Sequence, residues 1–390
     1  MSRVWLRWMP AVVVPAVIVV AVVAVPLQAG AAVDLPNKSA AEILGLVSDS
    51  TVTSFSGTLE QTSNLGLPDV GSALSNMPGG AADSADGTEA GAGPHTTAKV
   101  AAAMTALELL TGSHTARVFA DGPENLRVQV IDRLNERNLV RSGNEVWFYD
   151  SETNEVTHLS IPADAKANAR DALEQAQEKA QVELGEVPTP AELADTLLTD
   201  LDPSTEVTVG TDTAIAGRDT YELRLIPRSD ETLVESASIF VDGETGMPLR
   251  VEVLARGQEN PAFQVAFSQV TFAAPDAERF EFTPPAGATV TEQALPEHDS
   301  MAGMPEHSGA LPGPDVPVTV TGDGWAAVAE LPVGTVSTDV SASPLFDQVT
   351  VAVESGRVFS TTLLNVLVTD DGRVFAGSVP VEALQAAAAE

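Results

Sequence analysis

The residues best equipped for chemistry in this chain lie between two Pro-Glu-His triplets. Pro296-Glu297-His298 recurs as Pro305-Glu306-His307, with Met301 and Met304 between the histidines. Imidazole and thioether groups suit copper, which makes His298, Met301, Met304 and His307 a candidate ligand set. The stretch is also rich in Pro and Gly and reads first as a tether in which these side chains are incidental. His114 and His158 stand in strand-like segments without an evident partner. Carboxylates are so frequent that no pair of them is distinctive as an acid and base. No GxSxG, HExxH, phosphate-binding loop or GxGxxG stands in a supporting context. The chain has no cysteine, which removes disulfides, thiol catalysis and Cys-based zinc sites. These residues point to a protein that binds and is not an enzyme, with no cofactor expected.

The elements that would position a binding surface are strands. Between Thr220 and Phe282 apolar and polar residues alternate, run after run, with turn signals between them. Tyr221, Leu223 and Leu225 alternate with Glu222 and Arg224; Leu249, Val251 and Val253 with Arg250 and Glu252; Phe263, Val265 and Phe267 with Gln264 and Ser268. A period of two with short Gly, Asp or Pro connections predicts antiparallel strands, each with one apolar face. Such a sheet must cover its apolar face with another sheet, with helices or with a ligand.

Composition narrows the ligand. The chain has 390 residues, 44% of them hydrophobic, with 55 acidic against 20 basic residues and a net charge of -35. That field repels phosphate backbones and anionic lipid surfaces, so a nucleic-acid partner is excluded. At the N-terminus Arg3 and Arg7 precede an apolar run over residues 9–25, followed by small residues in A-x-A order, Ala29 and Ala31. The run reaches about 25 Å as a helix, short of a hydrocarbon core of roughly 30 Å. It reads as a signal peptide cleaved near residues 29–32, or else as an uncleaved N-terminal anchor. Both place the remainder outside the cytoplasm, either secreted or associated with the outer side of the cytoplasmic membrane.

Five parts are expected along the chain. Residues 1–31 are the signal peptide or anchor, and 32–290 the main folded unit. Inside that unit a Gly/Ala/Ser/Asp-rich insertion at about 66–97 has little to bury. Residues 291–317 form the Pro/Gly/His/Met-rich linker, and 318–390 a small α/β or β-rich unit ending in a frayed tail at 386–390. The main unit opens with a capping box, Ser39-Ala40-Ala41-Glu42, and a strand over 54–62. More strands are expected at 115–120, 125–131, 138–142, 145–149 and 155–159, and Pro284-Pro285 closes the unit. A helical stripe over 163–184 and a capped helix from Thr189, with Leu193, Leu197 and Leu201 along one side, are natural covers for the sheet. In the small unit strands are expected at 325–331, 349–353, 362–369 and 373–379, with Asp370-Asp371-Gly372 as a hairpin turn.

Several of these segments resemble the LolA-like lipoprotein-carrier superfamily, which also holds the RseB/MucB-like regulators. Phe55-Ser56-Gly57-Thr58-Leu59-Glu60-Gln61 is similar to the opening strand pattern of that family. Val140-Arg141-Ser142-Gly143, continuing to Trp147-Phe148-Tyr149-Asp150, resembles its strand–turn–strand, and Phe280-Glu281-Phe282-Thr283-Pro284-Pro285 its ending. The resemblance spans roughly residues 32–290. It implies an α+β fold: an incomplete antiparallel β-barrel covered by amphipathic helices, beside a small C-terminal β-rich domain. It further implies an apolar cavity between sheet and helices that accepts lipid or lipoprotein acyl chains. The alternative is an RseB-like regulator that binds a membrane-bound anti-sigma factor or other envelope partner. The insertion at 66–97 and the unit after Val318 depart from the compact carriers.

No family residue with a gating role maps onto this chain, so the candidate cavity residues are the apolar faces themselves. On the sheet these are Leu126, Val128, Trp147, Tyr149, Leu223, Leu225, Val251 and Phe267; on the second helix, Leu193 and Leu197. Each is also consistent with plain core packing. A methylene moved from water into an apolar cleft gains about 0.8 kcal/mol. An acyl chain of some sixteen carbons would therefore contribute on the order of 10 kcal/mol before entropy losses.

Overall fold

The structure, a computed structural model, describes residues 35–66, 112–131, 135–161, 203–293, 318–336, 341 and 344–389. These residues build two sheets. The large one has 13 strands, β1 (Ser54–Ser63) through β13 (Thr289–Gln293), in the order β13-β6-β5-β4-β3-β2-β1-β12-β11-β10-β9-β7, with β8 paired on β9. Its outermost strands, β13 and β7, do not pair with each other, so the curved sheet stays open. The small sheet has six strands, β14 (Thr319–Thr321) to β19 (Val374–Gly377), in the order β14-β15-β19-β18-β17-β16.

The strands follow the alternation of the sequence. In the large sheet β2 is Ser113–Asp121, β3 Asn125–Ile131, β4 Glu136–Ser142, β5 Glu145–Asp150 and β6 Glu155–Ser160. The next group comprises β7 (Thr205–Val209), β8 (Thr213–Ile215), β9 (Arg218–Pro227), β10 (Val234–Asp242), β11 (Pro248–Ala255) and β12 (Phe263–Thr271). The β10–β11 turn is built by Asp242, whose Oδ1 accepts hydrogen bonds from the Glu244 and Thr245 amides and the Thr245 hydroxyl. The Arg218 guanidinium clamps the same buried carboxylate.

Cross-strand register assigns every side chain to a face. Leu223, Ile239, Val251 and Val265 stand abreast across β9, β10, β11 and β12. The row one step away on the same face runs through Phe267, Leu59 and Ala116, and then Val118 and Val128 face each other. This is the inner face, because helix α1 (Ala40–Ser48) packs on it: Ile43 is fully buried against Tyr221, Leu223 and Val241. The Tyr221 hydroxyl donates to the Pro36 carbonyl at 2.9 Å, fixing the approach to α1. The capping box that opens α1 forms as its sequence predicts, Ser39 Oγ accepting from the Glu42 amide and Glu42 accepting from the Ser39 amide. The helices expected over 163–184 and from Thr189 lie outside the described residues.

The chain after β12 departs from the expectation that Pro284-Pro285 closes the unit. Residues 272–288 run back across the outer face as a strap. A 3-10 turn, Ala277–Phe280, buries Phe280 there, and the Arg279 carbonyl accepts from Arg127 Nη1 at 3.0 Å. The Phe282 ring lies 5.6 Å from that of Trp147 and 6.2 Å from that of Tyr149. The strap then delivers β13 in parallel to β6, Thr289 opposite Glu155, a pairing no alternation signal foretells.

In the small unit β15 (Val328–Leu331) begins later than expected, and Trp325 sits instead in a 3-10 turn, Gly324–Ala326. Helix α2 (Pro344–Val349) precedes β16 (Val351–Val353), and β17 (Gly356–Ser360) is a strand that the sequence reading omits. Asp370-Asp371-Gly372 does form the turn between β18 (Asn365–Thr369) and β19. The C-terminal tail is not frayed throughout: helix α3 (Val381–Ala388) buries Leu384 on the core of Val358, Leu367 and Phe375.

Candidate functional site

The inner face of the large sheet has two halves of different character. Across β9–β12 its apolar residues are covered: Leu223 by α1, and Val253, Phe263 and Val265 by Trp325 of the small unit. Across β3–β5 the face carries Leu126, Val128, Val130, Leu139 and Val146, each only partly buried, and Phe148, which is 41% exposed, with Arg141 standing between Leu126 and Val146. Leu126 and Val128 pack from this half against buried Leu59, Val118 and Phe267, which join the halves. The Phe267 ring lies so close over Gly57 that a Cβ there would meet it at 2.7 Å, so glycine alone fits at that point of β1. Polar residues on this face gather toward one end of the strands, where Gln61 pairs across from His114 and Arg137 Nε lies 3.3 Å from Asp150.

Of the sheet residues singled out in the sequence, Leu126, Val128, Leu223, Leu225, Val251 and Phe267 share this inner face. The structure does not bring Trp147 and Tyr149 to them. Register puts both on the outer face with Arg127 and Val140, where they pack on Phe282 of the strap. Trp147 also stacks on His158, ring centroids 3.7 Å apart, and His158 bridges Glu145 (2.5 Å) and Glu292 of β13 (2.7 Å). His158 therefore has partners that its strand alone does not reveal, and it serves to fasten β13. Leu193, Leu197 and the four candidate copper ligands His298, Met301, Met304 and His307 lie outside the described residues. Trp325, Val130, Leu139 and Phe148 are not among the residues singled out in the sequence; the alternation in β3, β4 and β5 contains the signal for the last three.

The outer face of β9–β12 is polar where the inner is apolar. Glu222, Phe240, Arg250 and Ala266 stand abreast, with Glu60 beyond on β1. Buried Glu222 accepts from Ser238 Oγ at 2.8 Å and from Arg224 Nε at 2.9 Å. Burial pushes the Glu252 carboxyl above its ordinary range and the Arg250 guanidinium below its own. A cavity of about 230 Å³ opens here, lined by Arg224, Ile226, Ser238, Glu252, Leu254 and Pro261 among others. Its charged lining makes it a poor receptor for an apolar chain, since burying an unpaired charge costs far more than a methylene gains. The apolar face of the sheet is the inner one.

A family model described as a predicted periplasmic protein, DUF2092, matches residues 96–292. The chain belongs to this family. Membership places the protein in the periplasm, in agreement with the exported location expected from its N-terminal residues. The matched range takes in the half-exposed inner surface of β3–β5, the covered half and the strap. A search of curated proteins finds no match. Among solved structures, a chain of the Pseudomonas aeruginosa MucA/MucB complex is 15% identical, with a TM-score of 0.40, covering 89% of this chain and 96% of that one. A LolA superfamily protein from Nitrosomonas europaea is 11% identical, TM-score 0.21, covering 63% of this chain and 99% of its own. An uncharacterized conserved protein from Thermus thermophilus is 12% identical, TM-score 0.31, covering 65% and 98%.

Proposed function

We propose that the protein is a non-enzymatic periplasmic carrier or sensor that binds lipid or lipoprotein acyl chains on the inner face of its open sheet. One observation carries this reading: Val128, Leu139 and Phe148 form an apolar row across β3–β5, flanked by Leu126, Val130 and Val146, that is incompletely buried, with Arg141 between Leu126 and Val146 and Arg137 opposite Val130. A surface of this kind on a water-soluble domain marks an interaction site.

The test is uptake of fatty acids and a synthetic diacylated lipopeptide by the full exported chain. Binding that is lost in Val128→Glu and Leu126→Glu, both at partly buried positions where the fold should survive, supports the reading. Unchanged binding in both variants overturns the assigned face. A second reading, a regulator that holds a membrane-bound envelope partner, is favoured by the open edge of the small sheet. There, among the described residues, β16 pairs only with β17, and Val351 is 69% exposed. An edge of that kind accepts an added strand.

A further inference from the structure

The strand that ends the large sheet is held with little burial. All five residues of β13 are exposed, and among the described residues it pairs on one side only, in parallel with β6. Apolar contact therefore contributes little to its place, and what keeps it there is polar. At its start Asn154, in the left-handed region at φ +54, clasps the chain twice. Its Nδ2 donates to the Gly287 carbonyl at 3.0 Å, and its own carbonyl accepts from the Thr289 amide at 3.1 Å. Toward the far end the hold is a side chain. His158 of β6 stands opposite Glu292 of β13, and its Nδ1 lies 2.7 Å from Glu292 Oε2.

The other ring nitrogen is committed as well. Nε2 lies 2.5 Å from Oε2 of Glu145 on β5, whose Oε1 accepts from Ser160 Oγ at 3.0 Å. The ring lies flat on Trp147, with 10° between the two planes, so its orientation is fixed. Among the described residues, Glu145 and Glu292 are the charged groups in contact with it. β4 sets uncharged Val140 and Ser142 beside Trp147 and Glu145, and the strap sets Phe282 against Trp147. An ionised carboxylate only accepts, whereas a neutral imidazole donates through one nitrogen and accepts through the other. Both contacts are hydrogen bonds only when the ring carries two protons. With one proton, a nitrogen lone pair faces a carboxylate oxygen, and that contact turns repulsive. The bonds from His158 and Ser160 hold the Glu145 carboxyl below its ordinary range, so this acceptor keeps its charge.

We infer that His158 is a proton-operated latch, which holds β13 on the sheet while its ring is charged and loosens it when the ring is neutral. The inference is independent of the acyl-chain reading. A neutral ring keeps Glu145, which Ser160 holds in place, and gives up Glu292, whose side chain is 73% exposed and turns to water. The stabilisation of β13 is thus present at low pH and is lost as pH rises through the titration of the ring. β13 is the last strand of the large sheet before the chain passes to the small unit, and loosening it uncovers the edge of β6. A bare strand edge accepts an added strand.

The experiment is hydrogen exchange of the full exported chain from pH 5 to pH 9, corrected for the chemical exchange rate at each pH. The histidine rings are titrated in parallel by NMR, with the His158 signal assigned by its loss in His158→Gln. Protection of the β13 amides should fall about fivefold as the His158 ring loses its charge, while the β9–β12 amides keep theirs. His158→Gln should hold β13 at the lower protection at every pH, with no step. Glu292→Gln exchanges an exposed carboxylate for an amide that both donates and accepts, so β13 should stay protected and lose the step. Protection of β13 that does not change across the titration of the ring overturns the inference, and so does a step that survives in His158→Gln. Neither result bears on fatty-acid uptake, which tests the acyl-chain reading separately.

Discussion

At the scale of single residues, two carboxylates with opposite electrostatics make opposite predictions. Glu60 is buried on the outer face, its Oε2 has no hydrogen-bond partner, and burial raises its pKa. A raised folded pKa means that its stabilisation is fully present below the ordinary glutamate range and is lost as pH rises through the raised value. Glu60→Gln should therefore be more stable than the wild type at neutral pH, by about 1 kcal/mol, and the difference should vanish in acid. Urea midpoints at pH 7 and pH 4 measure this. Asp242 is equally buried and tends upward for that reason, but Arg218 and Thr245 more than offset burial and hold its pKa below the usual range. Its contribution is present above the ordinary aspartate range and is lost as pH falls. Asp242→Asn leaves Arg218 paired with Glu244 alone and should cost about 2 kcal/mol at neutral pH, less in acid.

At the scale of elements, α1 and the strap are the pieces that hold the sheet's two faces. Ser39→Ala removes the cap of α1 and should cost about 1 kcal/mol, seen as faster amide exchange in the helix before the strands open. Phe282→Ala removes the ring that the strap lays against Trp147 and Tyr149 on the outer face. It should cost about 2 kcal/mol, below the loss for a fully buried ring, and a change in tryptophan fluorescence reports the release. The sequence made most strands legible, because one wet and one dry face impose a period of two, as from Tyr221 to Leu225 and from Leu126 to Val130. It did not make legible which faces of separate strands align. Trp147 alternates as cleanly as Val128, yet pairing through Val140 and Leu139 turns the two to opposite sides. Nor did periodicity mark the strap or β13, whose exposed Thr289–Gln293 carries no apolar stripe. Trp325 was hidden for a related reason: a Gly-Asp-Gly-Trp run signals a turn, but only docking of the small unit shows what the turn presents.

At the scale of the whole molecule, an open sheet is covered on part of its inner face by Trp325 of the small unit and by α1. What stays partly exposed is the apolar row of β3–β5. Burial of the β9–β12 half and incomplete burial of the β3–β5 half within one face is the contrast on which the proposed acyl-chain binding rests. The alternative is a face whose row completes a packed core without ligand. The most direct measurement is native mass spectrometry with lipid extraction on the exported chain as purified and after addition of fatty acid. The account predicts bound lipid or uptake that disappears in Val128→Glu while strand content is retained. A clean apo mass, with no uptake of fatty acid or lipopeptide by the folded protein, would contradict it.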